Sequence, residues 1–253
     1  MTFERFFDDA AIFPPGNAPL DVAVKAHLDR ATTADGRYVG PFVIDEARLP
    51  GLVDLLSEPL DIALVAGPAS TLSHQRLPAL RSSGLATGVG RPSVARERSD
   101  REGAGETTGL PDHPMLKVVA VEGPRGSAVE KPWGTGFDVP DGTILKLRCG
   151  GDYVPTVAEL SDAITYCVEH DQPFKLTAGL HAAIATEHAH GFVNIMAAVV
   201  AAMRGKDPAP ALMAWADEID MSTLSDSRRL FRSIGTCDID GPLSDLRALG
   251  LIP

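Results

Sequence analysis

Cysteine is scarce in this chain and unpaired in pattern. Cys149, Cys167 and Cys237 are three in number, with no C-x-x-C among them. That excludes a disulfide scaffold and a zinc ribbon, and it suits a reducing compartment. Positive charge is in the minority. Against 34 Asp and Glu stand 23 Lys and Arg, a formal net charge of −11 spread along the chain. Nucleic acid and anionic membrane surfaces would be repelled by such a surface. A long hydrophobic run is also missing, since FVNIMAAVVAAMRG falls short of the ~20 residues that span a bilayer. The N-terminal MTFERFFDDAAIFPPG carries acids where a secretory signal needs a basic region. A cytoplasmic protein with neither a nucleic-acid nor a membrane partner is therefore expected. Walker loops, serine nucleophile elbows and a G-x-G-x-x-G after the first strand are absent too, which removes the dinucleotide-binding type of α/β sheet.

What the sequence does have is alternation. Eight β-like runs recur along its 253 residues, at 8–15, 38–45, 60–67, 115–123, 134–140, 144–151, 173–180 and 229–236. Amphipathic helical stretches follow most of them, at 19–33, 47–57, 71–84, 155–171, 190–219 and 242–251. In the first, Leu20, Val22, Ala23, Ala26, His27 and Leu28 are expected near one face. Strands alternating with helices imply a parallel sheet with helices outside, and eight such units at this length predict a single (β/α)8 barrel domain over 1–253. The units around 115–140 show little helix. Residues 85–113, rich in Gly, Arg and Glu, read as a flexible insertion.

The chemistry is expected in two of these strands. In ILKLRCGG (144–151), Leu145, Leu147 and Cys149 share one face while Ile144, Lys146 and Arg148 share the other. Placing the leucines under the outer helices sends Lys146 and Arg148 into the barrel. The same logic in PFKLTAGLH (173–181) sends Phe174 and Leu176 outward, and Lys175 and Thr177 inward. Cations crowded in a lumen need carboxylates or an anionic ligand. Asp138 and Glu122 are the nearest candidates, with Asp8 and Asp9 further ones. Crowding lysines also lowers the pKa of one of them, leaving an amine able to attack a carbonyl. The alternative is a set of structural ion pairs, Lys146–Asp138 or Arg148–Glu122.

LKVVAVE, LKLRCGG and FKLTAGL, across residues 115–180, resemble strands five, six and seven of class I aldolase barrels, most nearly the deoxyribose-phosphate aldolases. The resemblance implies a Schiff-base lysine at Lys146 and a cationic neighbour at Lys175. The pattern also departs from that family. Arg148 and Cys149 follow Lys146 where the family has small hydroxyl residues, and Gly179-Leu180 stands where it has Gly-Gly. Counting strands from the residues makes KVVAVE the fourth rather than the fifth.

The remaining candidates surround this pair. His181 follows the seventh strand directly and is expected at the rim as a proton shuttle or substrate contact, with Gly179 beside it. In SIGT (233–236), Gly235 and Thr236 could meet an anion, with Arg232 close by. His188 and His190 are expected in a solvated loop, so neither a metal nor another cofactor is called for. The expected function is aldolase-type Schiff-base chemistry on a small anionic carbonyl compound, with Asp138 or Glu122 moving protons. A non-covalent or metal-assisted isomerase that clamps phosphate or carboxylate is one alternative. A non-catalytic ligand-binding barrel is another, and homo-oligomerisation is open.

Overall fold

Eight parallel strands close on themselves in chain order. They are β1 (Phe7–Asp9), β2 (Val39–Asp45), β3 (Leu60–Val65), β4 (Leu116–Glu122), β5 (Ala128–Glu130), β6 (Ile144–Arg148), β7 (Phe174–Thr177) and β8 (Phe231–Thr236). Among the described residues six α-helices accompany them: α1 (Leu20–Ala31), α2 (Leu49–Val53), α3 (Val157–Glu169), α4 (Phe192–Met203), α5 (Ala209–Leu212) and α6 (Asp240–Ala248). The fold is a TIM-type (β/α)8 barrel with irregular units in its middle. This computed structural model describes residues 2–67, 70, 113–151 and 153–253. The helix expected at 71–84 and the insertion expected at 85–113 lie outside the described residues, His113 apart.

Six of the eight expected strands are present over most of their length; the first, expected at 8–15, is confined to Phe7–Asp9, and the fifth is a correction. GTGFDVP (134–140) is not a strand; β5 is the short Ala128–Glu130 before it. Phe137 and Val139 in GTGFDVP instead pack against the hydrophobic core. The Phe137 ring sits 5.6 Å from that of Tyr166 on α3 and 6.2 Å from that of Trp133. Among the described residues no helix lies between β4 and β6, and this aromatic segment packs instead beside α3, with Trp133 Nε1 donating to the carbonyl oxygen of Arg148.

The helices form where local chemistry starts them and an apolar face holds them. At α3 the Thr156 hydroxyl accepts from Glu159 N–H while the Glu159 carboxylate accepts from Thr156 N–H, a reciprocal capping box. Leu160, Ala163, Ile164 and Cys167 then face the barrel at helical spacing. On α1 the buried face is Ala23, Val24 and His27; Val22 and Ala26, expected on it, are exposed. α4 is buried over most of its length. Its Asn194 is tied down by bonds to the carbonyls of Ala211 and Ala214 and from the N–H of Ala185.

Candidate active site

The barrel's strand register assembles the site. Lys146 on β6 is the lateral partner of Lys175 on β7 and also of Glu130 on β5, while Arg148 partners Thr177. Side chains alternate along each strand, so laterally paired residues share a face. The outward set is as expected: Leu145, Leu147, Cys149, Phe174 and Leu176 are all buried in the core that α3 and α4 complete. The opposite face therefore points into the lumen, with Lys146 8% and Lys175 4% exposed.

Carboxylates meet both ammonium groups. Lys146 Nζ donates to Glu122 Oε2 at 2.8 Å and lies 3.1 Å from Glu130 Oε2. Lys175 Nζ donates to Asp8 Oδ2 at 2.6 Å and to Glu122 Oε1 at 2.5 Å. Ser233 Oγ on β8 completes the set by donating to Asp8 Oδ2 at 2.7 Å. Glu122 thus bridges the two lysines, one oxygen to each. Burial opposes its charge, but the Lys175 and Lys146 ammonium groups outweigh burial and hold the carboxyl well below its ordinary 4.5. Burial likewise opposes the charge on Lys175, and Asp8 and Glu122 outweigh it, so this ammonium stays above its ordinary 10.5. Lys175 is a fixed cation.

A cavity of about 160 Å³ opens over this network at the C-terminal end of the strands. Lys146, Lys175, Glu122, Arg148, Thr177, His181 and Gly235 all line it, as does Glu130. Arg148 is exposed at its rim. Thr177 Oγ1 is the one buried side-chain polar atom among the described residues with no hydrogen-bond partner. An orphaned hydroxyl oxygen on a cavity wall has its hydrogen-bonding capacity free for a polar group that enters the cavity.

Four expected site residues are not brought to the cavity. Asp138 is exposed on the segment between β5 and β6, so the acids meeting Lys146 are Glu122 and Glu130. Arg232 is exposed near the start of β8, at the opposite end of the barrel from the mouth. Gly179, at φ +71°, serves a close backbone crossing: a Cβ there would lie 2.5 Å from the carbonyl oxygen of Cys149. Thr236 lies buried behind the wall and contacts His181 instead. The histidines also differ from expectation. His188 is exposed, but His190 is buried, with its Nε2 2.7 Å from the carbonyl oxygen of Pro155. Among the described residues no three His, Cys, Asp or Glu side chains converge as metal ligands would.

Sequence reasoning missed two lining residues with ionisable side chains. Glu130 sits on the strand that was not recognised. Cys237, one residue beyond β8, carried no motif, and only its position after SIGT could have drawn attention to it. No protein-family model matches the chain, and no curated protein or solved structure matches it.

Proposed function

We propose that the protein is an enzyme that forms a Schiff base between Lys146 and a small anionic carbonyl compound, in lyase chemistry of the aldolase type. The observation that carries this reading is the asymmetry between the two lysines. Lys175 is held by Asp8 and Glu122 and is committed to the charged form. Lys146 faces the same cavity with one buried carboxylate, Glu122, and one half-open to solvent, Glu130, whose side chain is 41% exposed. A nucleophilic amine needs a route for its proton, and Glu130 provides one that leads outward.

The proposed sequence conserves atoms and charge. Lys146 passes a proton to Glu130, and its nitrogen attacks the carbonyl carbon to give a carbinolamine. Glu130 returns the proton to the departing hydroxyl, water leaves, and an iminium ion remains. Glu122, kept ionised by Lys175, faces that positive charge and stabilises it electrostatically. The iminium then accepts the electron pair released when the bond between its α and β carbons breaks. The β-hydroxyl proton passes to Glu130, ionised again after the loss of water, an aldehyde departs and a neutral enamine remains on Lys146. The enamine takes the proton back from Glu130 at carbon before water frees the lysine. Arg148 at the rim suits the substrate's anionic group, and Thr177 Oγ1 suits a hydroxyl or carbonyl oxygen. Lys175 is unsuited to clamp an anion, because two carboxylates already occupy it. That weighs against a non-covalent clamp built on all three cations.

Borohydride reduction with a panel of small aldehydes and ketones, read by peptide mass spectrometry, tests the reading. A reduced adduct on the Lys146 peptide is expected, with none in Lys146→Met. A panel that leaves Lys146 unmodified throughout would sink the proposal.

A further inference from the structure

Across β7 from Lys146, the same cavity wall holds a second pair of groups that the Schiff-base chemistry does not use. Cys237 and His181 both line it, and His181 Nε2 lies 4.0 Å from Cys237 Sγ. The hydrogen bonds behind His181 decide which ring nitrogen carries its proton. Thr236 Oγ1 lies 2.8 Å from the carbonyl oxygen of Asp238. A carbonyl oxygen can only accept, so the single Thr236 hydroxyl proton points there. Toward His181 Nδ1, 3.2 Å away, Thr236 Oγ1 must then be the acceptor, as it is toward the N–H of Asp238. Nδ1 therefore carries the proton in the neutral ring, and Nε2 turns its lone pair toward the Cys237 thiol. The thiol's position is also built: a Cβ at Gly16 would stand 2.9 Å from the Cys237 Cβ, so glycine at 16 makes room for it.

We propose that Cys237 and His181 form a second nucleophilic pair in this cavity, which adds reversibly to the carbonyl of a small aldehyde. In that step the Sγ–C bond forms and the C=O π bond breaks. The thiol proton passes to His181 Nε2 and from there to the new oxygen, giving a neutral thiohemiacetal. No oxidant or further reactant is consumed, and the reverse path releases the aldehyde. The distance from Sγ to Nε2 is long for a hydrogen bond, as nucleophile–base contacts often are before a substrate closes the site. The inference rests on the reading of the cavity as a carbonyl site and narrows its substrate class to aldehydes, but it does not require Lys146 to act.

The chain supplies its own controls. Cys149 and Cys167 are buried, and burial pushes each thiol up to about 12, which makes both poor nucleophiles near neutral pH. Alkylation of the native full-length protein with iodoacetamide at pH 7 is expected to modify Cys237 at least about tenfold faster than either. His181→Gln, and independently Thr236→Val, should slow Cys237 alkylation on the order of tenfold and shift its pH profile toward that of a simple thiol. Thermal melts check that each variant is folded. Glycolaldehyde should protect Cys237 from alkylation in wild type and equally in Lys146→Met.

Three outcomes would overturn the proposal: Cys237 reacting no faster than the buried thiols, both variants leaving rate and pH profile unchanged, or protection vanishing in Lys146→Met. In the last case the Lys146 imine alone accounts for protection, and the Schiff-base reading survives. Protection persisting in Lys146→Met while borohydride traps nothing at Lys146 would have the opposite meaning.

Discussion

The two sides of the barrel that meet at Glu122 are built differently. On the β6–β8 side, Leu145, Leu147, Leu176 and Ile234 are almost wholly buried, and α3, α4 and α6 flank the strands. On the β4–β5 side, the strands share a single paired position, Glu122 with Ala128, and β5 has three residues. The lysines come from the well-packed side, and Glu122 and Glu130 from the thin one. Cations fixed by packing thus meet Glu130, carried by the three-residue β5, and Glu122, carried by a β4 that pairs with β3 but scarcely with β5. The ion network is consequently a joint between the two sides as well as a site.

The largest effect should follow from breaking that joint. Glu122→Gln removes the one charge among the described residues that both lysines share and leaves two buried cations short of compensation. Loss of one member of a buried pair typically costs ~3–5 kcal/mol. A loss of stability in that range is expected, measured by chemical denaturation at pH 7. A change below about 1 kcal/mol would mean that packing alone holds β4–β5 in place.

The same joint sets a pH dependence with two limbs. Glu122 is held below its ordinary 4.5, so its contribution is complete above that pH and is lost as pH falls toward the lower folded value. Lys175 is held above its ordinary 10.5, so its contribution is complete below that pH and is lost as pH rises toward the higher folded value. Stability due to the network should therefore be flat from about pH 5 to about pH 10 and fall on either side. Glu122→Gln should remove much of the acid limb and weaken the alkaline one, because Lys175 keeps only Asp8. Denaturation midpoints measured across this range in both proteins would show it.

How far the sequence could be read follows the same division. On the well-packed side, alternation fixes which residues face in, and Lys146, Arg148, Lys175 and Thr177 were all legible because apolar partners mark the opposite face. On the thin side, alternation has too few residues to act on. Ala128–Glu130 presents no pattern, whereas Phe137 and Val139 in GTGFDVP do, for a reason unrelated to pairing: they pack against the core beside α3. Asp138 was drawn in with that misplaced strand, and Glu130 was left out with the true one. Arg232 shows a second limit. As the second residue of β8 it lies near the strand's N-terminal end, so its nearness to SIGT in sequence does not bring it to the mouth.

A smaller effect is expected at the cavity wall. A Cβ at Gly235 would stand 3.0 Å from Thr177 Cγ2, closer than side chains normally tolerate. Gly235→Ala should turn Thr177 away at a cost of ~1–3 kcal/mol. If Thr177 Oγ1 meets substrate, KM should rise more than kcat falls. Thr177→Val, which keeps the shape and removes the hydroxyl, should raise KM without that loss of stability. Steady-state kinetics on a substrate found by trapping would separate the two.

The smallest effect on folding, and the sharpest test of the division between the acids, lies at Glu130. Its side chain is 41% exposed and its contact with Lys146 is 3.1 Å, so solvent screens the pair. Glu130→Gln should change stability by less than about 1 kcal/mol. Its effect on chemistry should be large, because Glu122 is held ionised by two lysines and is a poor acceptor for the Lys146 proton. The rate of imine formation, followed by timed borohydride quenching, is expected to fall on the order of a hundredfold near neutral pH, as loss of a general acid–base group does. An unchanged rate would assign the proton transfer to Glu122 or to solvent. In that event the half-open position of Glu130 would be a consequence of the thin β4–β5 side and not part of the mechanism.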